Sequence, residues 1–252
     1  EGFGMMNFPN GDIYNGEWRA DMMNGKGKMN FNNGSIYDGE WENDMMCGQG
    51  VMIYLGNQGF YNGTWRNNTR EGFGMMNFPN GDIYNGEWKS DALNGQGTME
   101  YFWKDKYTGN WEGGKRNGPG KMEFNNGDMY EGEWKFDLKN GQGKMEYSSG
   151  HRYRGSWKDG AREGEGEMIF ENGNIYKGEW ENDVVCGQGI MEYSDGSVYE
   201  GTWKGNKREG SGMITFKNGD IYDGEWKADI IHGCGTMEDF AKNKYVGNWE
   251  NG

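Results

Sequence analysis

The side chains able to do chemistry are few and scattered. The two histidines, His151 and His232, lie several units apart in the sequence. Neither has a metal-ligating neighbour at a usual spacing, so surface or turn roles are expected for both. The three cysteines, Cys47, Cys186 and Cys234, are odd in number and follow no pairing pattern. Reduced thiols in a cytosolic protein are the expectation. Cys234 sits between two glycines with no base nearby in sequence, and a structural role fits it. Gly-x-Gly is frequent but never extends to Gly-x-Gly-x-x-Gly, so no dinucleotide fingerprint is present. The carboxylates Glu17, Glu40, Glu87, Glu133, Glu179 and Glu225 fall on a polar strand face, where solvation is the default expectation. Catalysis needs unlike groups converging on one place. None is brought together by this sequence, and no enzyme, metal or cofactor is expected.

Those residues are embedded in a repeat. A Tyr-x-Gly-x-Trp core recurs with tyrosine at 14, 37, 61, 84, 107, 130, 153, 176, 199, 222 and 245. The period is 23 residues, except for 24 between Tyr37 and Tyr61, where Leu55 to Gly59 carries one extra. A calcium-binding nonapeptide array would need a much shorter period, so the Asn-Gly-Asp turns do not indicate one. Within a unit, Gly118, Gly120, Met122 and Phe124 alternate with polar residues, as do Tyr130, Gly132 and Trp134. Period two on both sides of Asn126-Gly127 reads as a β-hairpin. The third residue after each repeat tryptophan is Asp, Asn or Gly (Asp21, Asn68 and Gly114, for example). These residues tolerate positive φ and mark a second turn. The fold class is therefore all-β: an elongated, single-layer antiparallel meander of about eleven hairpin repeats, twisted and curved. One continuous array is expected over residues 1–252, as part of a longer chain, because it starts and stops inside repeats without an obvious cap.

Composition agrees. The chain has 48 glycines and 12 tryptophans but only 33% hydrophobic residues, which suggests glycine used as holes into which large rings settle. A single unit cannot bury enough to fold alone, so stacking of neighbours must supply the stability. The net charge of −14 disfavours nucleic acid, whose binders show a basic patch or stripe. It also disfavours contact with anionic lipid. No apolar run approaches the length of a membrane-spanning helix.

The copies differ in an ordered way. Where the second strand reads Gly-Glu-Trp, the next turn carries Asp and then usually two apolar residues. Met22, Met23, Met45, Met46, Leu93, Leu138, Val184, Val185, Ile230 and Ile231 occupy these places. Elsewhere the turn ends in arginine: Arg70, Arg116, Arg162 and Arg208. The apolar residues either fold back on neighbouring turns or form a contact edge. Along the other stripe, a one-layer sheet has no second sheet to cover its rings. A groove for a partner's amphipathic helix is therefore expected over Phe78, Tyr84, Trp88, Tyr101, Tyr107, Trp111, Phe124, Tyr130, Trp134, Tyr147, Tyr153 and Trp157.

Tyr130-Glu131-Gly132-Glu133-Trp134, followed by Asn140-Gly141-Gln142-Gly143, closely resembles the MORN repeat (membrane occupation and recognition nexus), and the resemblance recurs over essentially the whole chain. It departs in six turns, where Asp and apolar residues replace the family's usual Gly-Lys-Arg. The resemblance implies a twisted, curved sheet of hairpins whose aromatic groove holds a partner helix and whose ends self-associate. It further implies a non-catalytic scaffold, cytoplasmic and associated with cytoskeleton or cilium. A phospholipid-contacting tether and the targeting region of a larger enzyme are the alternatives.

Overall fold

The computed structural model describes residues 1–56 and 59–252. The insertion expected between Leu55 and Gly59 falls on residues 57–58 and lies outside the described residues. Strands and turns, and no helix, make up the described chain. It divides into two compact units, Glu1–Asn125 and Asn126–Gly252. The first runs from strand Gly2–Asn7 to strand Lys115–Glu123, the second from Met129–Lys135 to Lys244–Trp249. Within each unit, consecutive strands pair antiparallel, as the alternating pattern requires. The all-β hairpin meander is the observed fold.

Both expected turns exist, but the tight one is not where the Asn-Gly signal puts it. At the Asn-Gly turn, Gly11 donates its N–H to the Phe8 carbonyl and Phe8 donates to the Asp12 carbonyl, each at 2.9 Å. Gly11 has φ of 91°, so this is a three-residue loop closed by a left-handed glycine. The two-residue turn follows the tryptophan. Ala20 and Asp21 both have positive φ, 50° and 61°, as do Asn43 and Asp44, at 49° and 66°. That geometry matches the right-handed twist of the flanking strands.

Each hairpin also carries a bulge. Gly16 faces Gly27 while Trp18 faces Met23, so two steps on one strand answer four on the other. Gly25 absorbs the excess at φ of 77°. Beyond the bulge, Gly27 faces Gly16 on one side and Gly39 on the other. Glycines thus line up across the strands, from Gly4 through Gly16, Gly27, Gly39 and Gly50. The second unit has an equivalent row, with Gly132, Gly143, Gly155, Gly166 and Gly178.

The repeat tyrosines lie over this row. A Cβ added to Gly97 would stand 2.2 Å from the Tyr84 hydroxyl and 2.5 Å from its ring carbons. From Tyr14 to Tyr222, each repeat tyrosine hydroxyl donates to the carbonyl three residues on, as Tyr84 does to Glu87 at 3.0 Å. The rings then form a ladder. Tyr14 meets Trp18 of its own repeat at 5.2 Å and Trp41 of the next at 5.5 Å, both edge to face. Such pairs contribute about 0.5–1.5 kcal/mol beyond area burial. Most indole N–H groups are held by the glycine row, Trp41 donating to the Gly27 carbonyl at 3.0 Å and Trp88 to Gly74 at 2.9 Å, whereas those of Trp180 and Trp249 find no acceptor.

The second residue of each nine-residue strand closes the ladder from above. Met23, Leu93 and Val185 do so as buried apolar groups. Arg70, Arg162 and Arg208 do so as cations, 4.3, 4.3 and 4.2 Å from the ring centroids of Trp88, Trp180 and Trp226. Each arginine is fixed by the turn of the next repeat. Asp91 accepts from both the Arg70 backbone N–H and its Nε, at 2.9 Å each. With these lids in place, ten tyrosines are fully buried and most repeat tryptophans are 3–5% exposed.

Two measurements test this account of the core. Gly97→Ala forces a methyl into Tyr84 and should lower stability by about 3 kcal/mol in urea unfolding. Gly4→Ala, whose Cβ would meet Trp18 only at 3.4 Å, should change little; equal stability of the two variants would refute the close-approach role. The second test is alkaline titration. Burial pushes the Tyr14, Tyr153 and Tyr199 phenols up to about 12 from 10.0, and Tyr37, Tyr84 and Tyr130 rise the same way. The native chain therefore holds protons that the unfolded chain has released. Its stability is intact below pH 10 and falls as pH rises through about 12. Phenolate absorbance of the buried rings should appear together with loss of the sheet's circular dichroism. Full ionisation with native dichroism would contradict it.

Candidate partner-binding surfaces

The ring ladder leaves less open surface than the sequence implies. Of the twelve rings expected to line a groove, Tyr84, Trp88, Tyr107, Trp111, Tyr130, Trp134, Tyr153 and Trp157 are buried. The physical reason is the lid: a neighbouring turn supplies the cover that a second sheet would otherwise provide. Phe78, Tyr101, Phe124 and Tyr147 remain half-buried. They belong to a second aromatic row that includes Phe8, Phe31 and Tyr54 in the first unit and Phe170, Tyr193 and Phe216 in the second, all half-buried. Among the described residues, this row and the terminal Tyr245, 54% exposed, are accessible aromatic features of the ring face.

The turn edge is split in the same way. Met23, Leu93 and Val185 are buried lids, whereas Met22, Met45, Met46, Val184 and Ile231 are half-buried. Leu138 and Ile230 are exposed, at 45% and 46%. Strand alternation explains the split: Trp18 pairs with Met23 and points the same way, while Met22 pairs with Arg19 and points to the other face.

A rule that sequence reading missed links the aromatic row to the lids. Where the lid is arginine, the row carries tyrosine (Tyr54 with Arg70, Tyr147 with Arg162, Tyr193 with Arg208). Burial raises the phenols of Tyr54, Tyr147 and Tyr193, and the nearby arginine partly offsets this. Phenol, guanidinium and the turn aspartate thus form one polar cluster. Where the lid is Met23, Leu93, Val185 or Ile231, the row carries phenylalanine. The signal was available as a covariation between copies.

The remaining candidate groups are placed as follows. Glu17, Glu87, Glu179 and Glu225 are not simply solvated. They accept from the backbone N–H of Lys26, Gln96, Gln188 and Cys234 at 3.2, 2.9, 2.8 and 3.3 Å, which ties down the bulge. His151 takes the place that Asp128 holds at the Asn-Gly turn of the preceding repeat, and its Nδ1 accepts from the Glu171 N–H at 3.1 Å. His232 is half-buried in strand Ile230–Glu238. The thiols of Cys47 and Cys186 are pushed up by burial and nearby glutamates, which disfavours the thiolate. Among the described residues, no group of three or more His, Cys, Asp or Glu is gathered as a metal site would need. On the polar face of the second unit lies an open concavity of about 660 Å³, bordered by Arg154, Glu165, Glu167, Lys177, Ile190 and Glu200. Its mixed charges leave it without one dominant sign.

Comparison with known proteins gives the following. The TCP domain of Drosophila melanogaster SAS-4, in complex with a proline-rich motif of Ana2, is 16% identical, with a TM-score of 0.35, covering 71% of this chain and 85% of that one. The TCP10 domain of Danio rerio CPAP, in complex with a STIL peptide, is 13% identical, with a TM-score of 0.33, covering 98% and 94%. A streptogramin B lyase is 11% identical at a TM-score of 0.16, covering 99% and 83%. A search of curated proteins finds no match. The MORN repeat profile matches residues 14–36, 37–54, 61–83, 84–106, 107–129, 130–152, 153–175, 176–198, 199–221 and 222–239. With ten tandem matches over most of its length, and with each match a hairpin of the described kind, the chain belongs to the MORN-repeat family.

Proposed function

We propose that this chain is a non-catalytic scaffold that holds a helical segment of a partner protein against its ring face, within a cytoskeletal or ciliary assembly. The observation that carries the reading is the row of half-buried Phe78, Tyr101 and Phe124, one ring per hairpin, beside a sealed ladder. Two strands advance ~9.6 Å across a sheet. Seven residues of an α-helix advance ~10.5 Å. A helix laid across the strands thus brings one apolar side chain in seven to one aromatic per repeat, with little mismatch over three or four repeats. The acidic chain would favour basic flanks on such a helix, because complementary charge steers encounter.

A phospholipid tether is less well supported. The arginines of the turn edge are withdrawn from a lipid headgroup: Arg70 and Arg162 have side chains 18% and 16% exposed, each bonded to a turn aspartate and lying on an indole. The family setting supports the cytoskeletal or ciliary context, and a role as the targeting region of a larger enzyme would use the same surface. A photoreactive phenylalanine analogue placed at Tyr101 or Phe124 of the intact chain should cross-link a protein partner in cells, and the same group at Gln188 on the polar face should not. Cross-linking only from Gln188, or salt-sensitive flotation of the chain with anionic vesicles and no protein cross-link, would overturn the proposal.

A further inference from the structure

One lid departs from the others. At Arg70, Arg162 and Arg208, a carboxylate oxygen of the next turn accepts two hydrogen bonds at once. Asp91 Oδ1 takes the Arg70 N–H and Nε at 2.9 and 2.9 Å. Asp183 Oδ1 takes those of Arg162 at 3.0 and 2.8 Å, and Asp229 Oδ1 those of Arg208 at 3.0 and 3.2 Å. Lys139 occupies the same position. Its Nζ lies 4.1 Å from the centroid of Trp157 and 5.5 Å from that of Tyr130. The next turn reaches it in the usual way, since Gly160 donates its N–H to the Lys139 carbonyl at 2.9 Å, as Asp183 does to Arg162 at 3.1 Å. Gly160, however, has no side chain. The carboxylate that would meet both the backbone N–H and the cation is missing from the chain at this one cationic lid.

Nearby acids do not fill the place. Asp183 is held by Arg162 at 2.8 Å, and Asp128 accepts from the Ser148 N–H at 2.8 Å and from Asn126 at 3.1 Å. Leu93 and Ile231 also precede glycine turns, at Gly114 and Gly252, but as apolar lids they offer no cation. Burial holds the Lys139 ammonium below its ordinary pKa, and the more distant Asp183 and Asp128 offset this only in part. The margin of the site is apolar. Leu138 Cδ2 lies 3.9 Å from where a Gly160 Cβ would stand, and Leu138 is 45% exposed. Phe136, 59% exposed, holds φ of 49°, a conformation disfavoured for a bulky residue. The equivalent positions carry Ala20, Asn43, Ser90 or Ala228.

We propose that Lys139, with Gly160 and Leu138, is a receptor for a side-chain carboxylate next to an apolar group, supplied by an Asp or Glu of a partner protein. The incoming oxygen takes the place that Asp91, Asp183 and Asp229 fill from within the chain. This receptor lies on the turn edge and does not require the partner to be helical, so it can fail while the ring-face reading stands.

The probe is the blocked peptide acetyl-Gly-Asp-Leu-amide, titrated into the intact chain at constant ionic strength and followed by the backbone amide resonances. Saturable shifts are expected at Lys139 and Gly160 but not at Leu93 or Ile231. The matching Asn peptide should bind at least about five-fold more weakly, since ionised acceptors make the stronger hydrogen bonds. Gly160→Asp, which restores the internal carboxylate, and Lys139→Met should each abolish the shifts while the dichroism stays native. Absence of a saturable shift, equal binding of the two peptides, or shifts that survive Gly160→Asp would each overturn the proposal. If one variant misfolds, the other with the peptide pair decides.

Discussion

The structure depends on how closely a tyrosine ring can approach bare backbone. Tyr84 occupies the space where side chains on Gly86 and Gly97 would stand, and the same arrangement recurs in every repeat that has a neighbour. Seating the phenol there places its hydroxyl on a strand carbonyl and its edge against two indoles. The glycine that admits the ring also offers its own carbonyl to the indole N–H of the following repeat. One residue type thereby sets the depth of the ring and the orientation of its neighbour. A thin sheet needs such economy, because no second layer packs against it.

The lids answer the question that a single sheet raises, namely what keeps water off its rings. Cover comes from the second residue of the strand before the tryptophan, and that residue is anchored by the turn that follows the tryptophan. Two successive repeats therefore cooperate around a covered tryptophan such as Trp88, which is how a linear array gains stability that no single hairpin has. The consequence for recognition is that the most aromatic stripe is spent on folding. What stays accessible is the half-buried row beside it and, along the turn edge, the exceptions where a copy lacks one member of the usual set.

Much of this was legible in the sequence. The period of the tyrosines, the alternation around Asn126-Gly127 and the small residues after each tryptophan fix hairpins, and glycine as a seat for rings follows from composition. Burial of Trp88 or Trp157 was not legible, because the group that covers each of them lies in a different repeat and alternates between apolar and cationic types. Reading Met22-Met23 or Val184-Val185 as a pair concealed that the two side chains point to opposite faces. Ala20 and Phe136 carry no signal for left-handed conformation, so the two-residue turn was half visible. Glu17 and its equivalents looked solvated because the bulge they serve appears only once the register is known. Of the rings expected along the groove, Phe78, Tyr101, Phe124 and Tyr147 are therefore the ones left accessible.

Alternation of the lids gives the array a translational cell twice as long as its sequence repeat. From Met46 onward, apolar and cationic lids succeed one another, with Lys139 as the one cation in an apolar place. Excising a single 23-residue copy would leave every strand in register yet set two like lids side by side, out of phase with the Tyr and Phe row. Excising a doublet would preserve both. Growth or shrinkage of such a chain is thus constrained by parity, a selection rule that acts on copy number and leaves the hydrogen-bonded ladder itself indifferent.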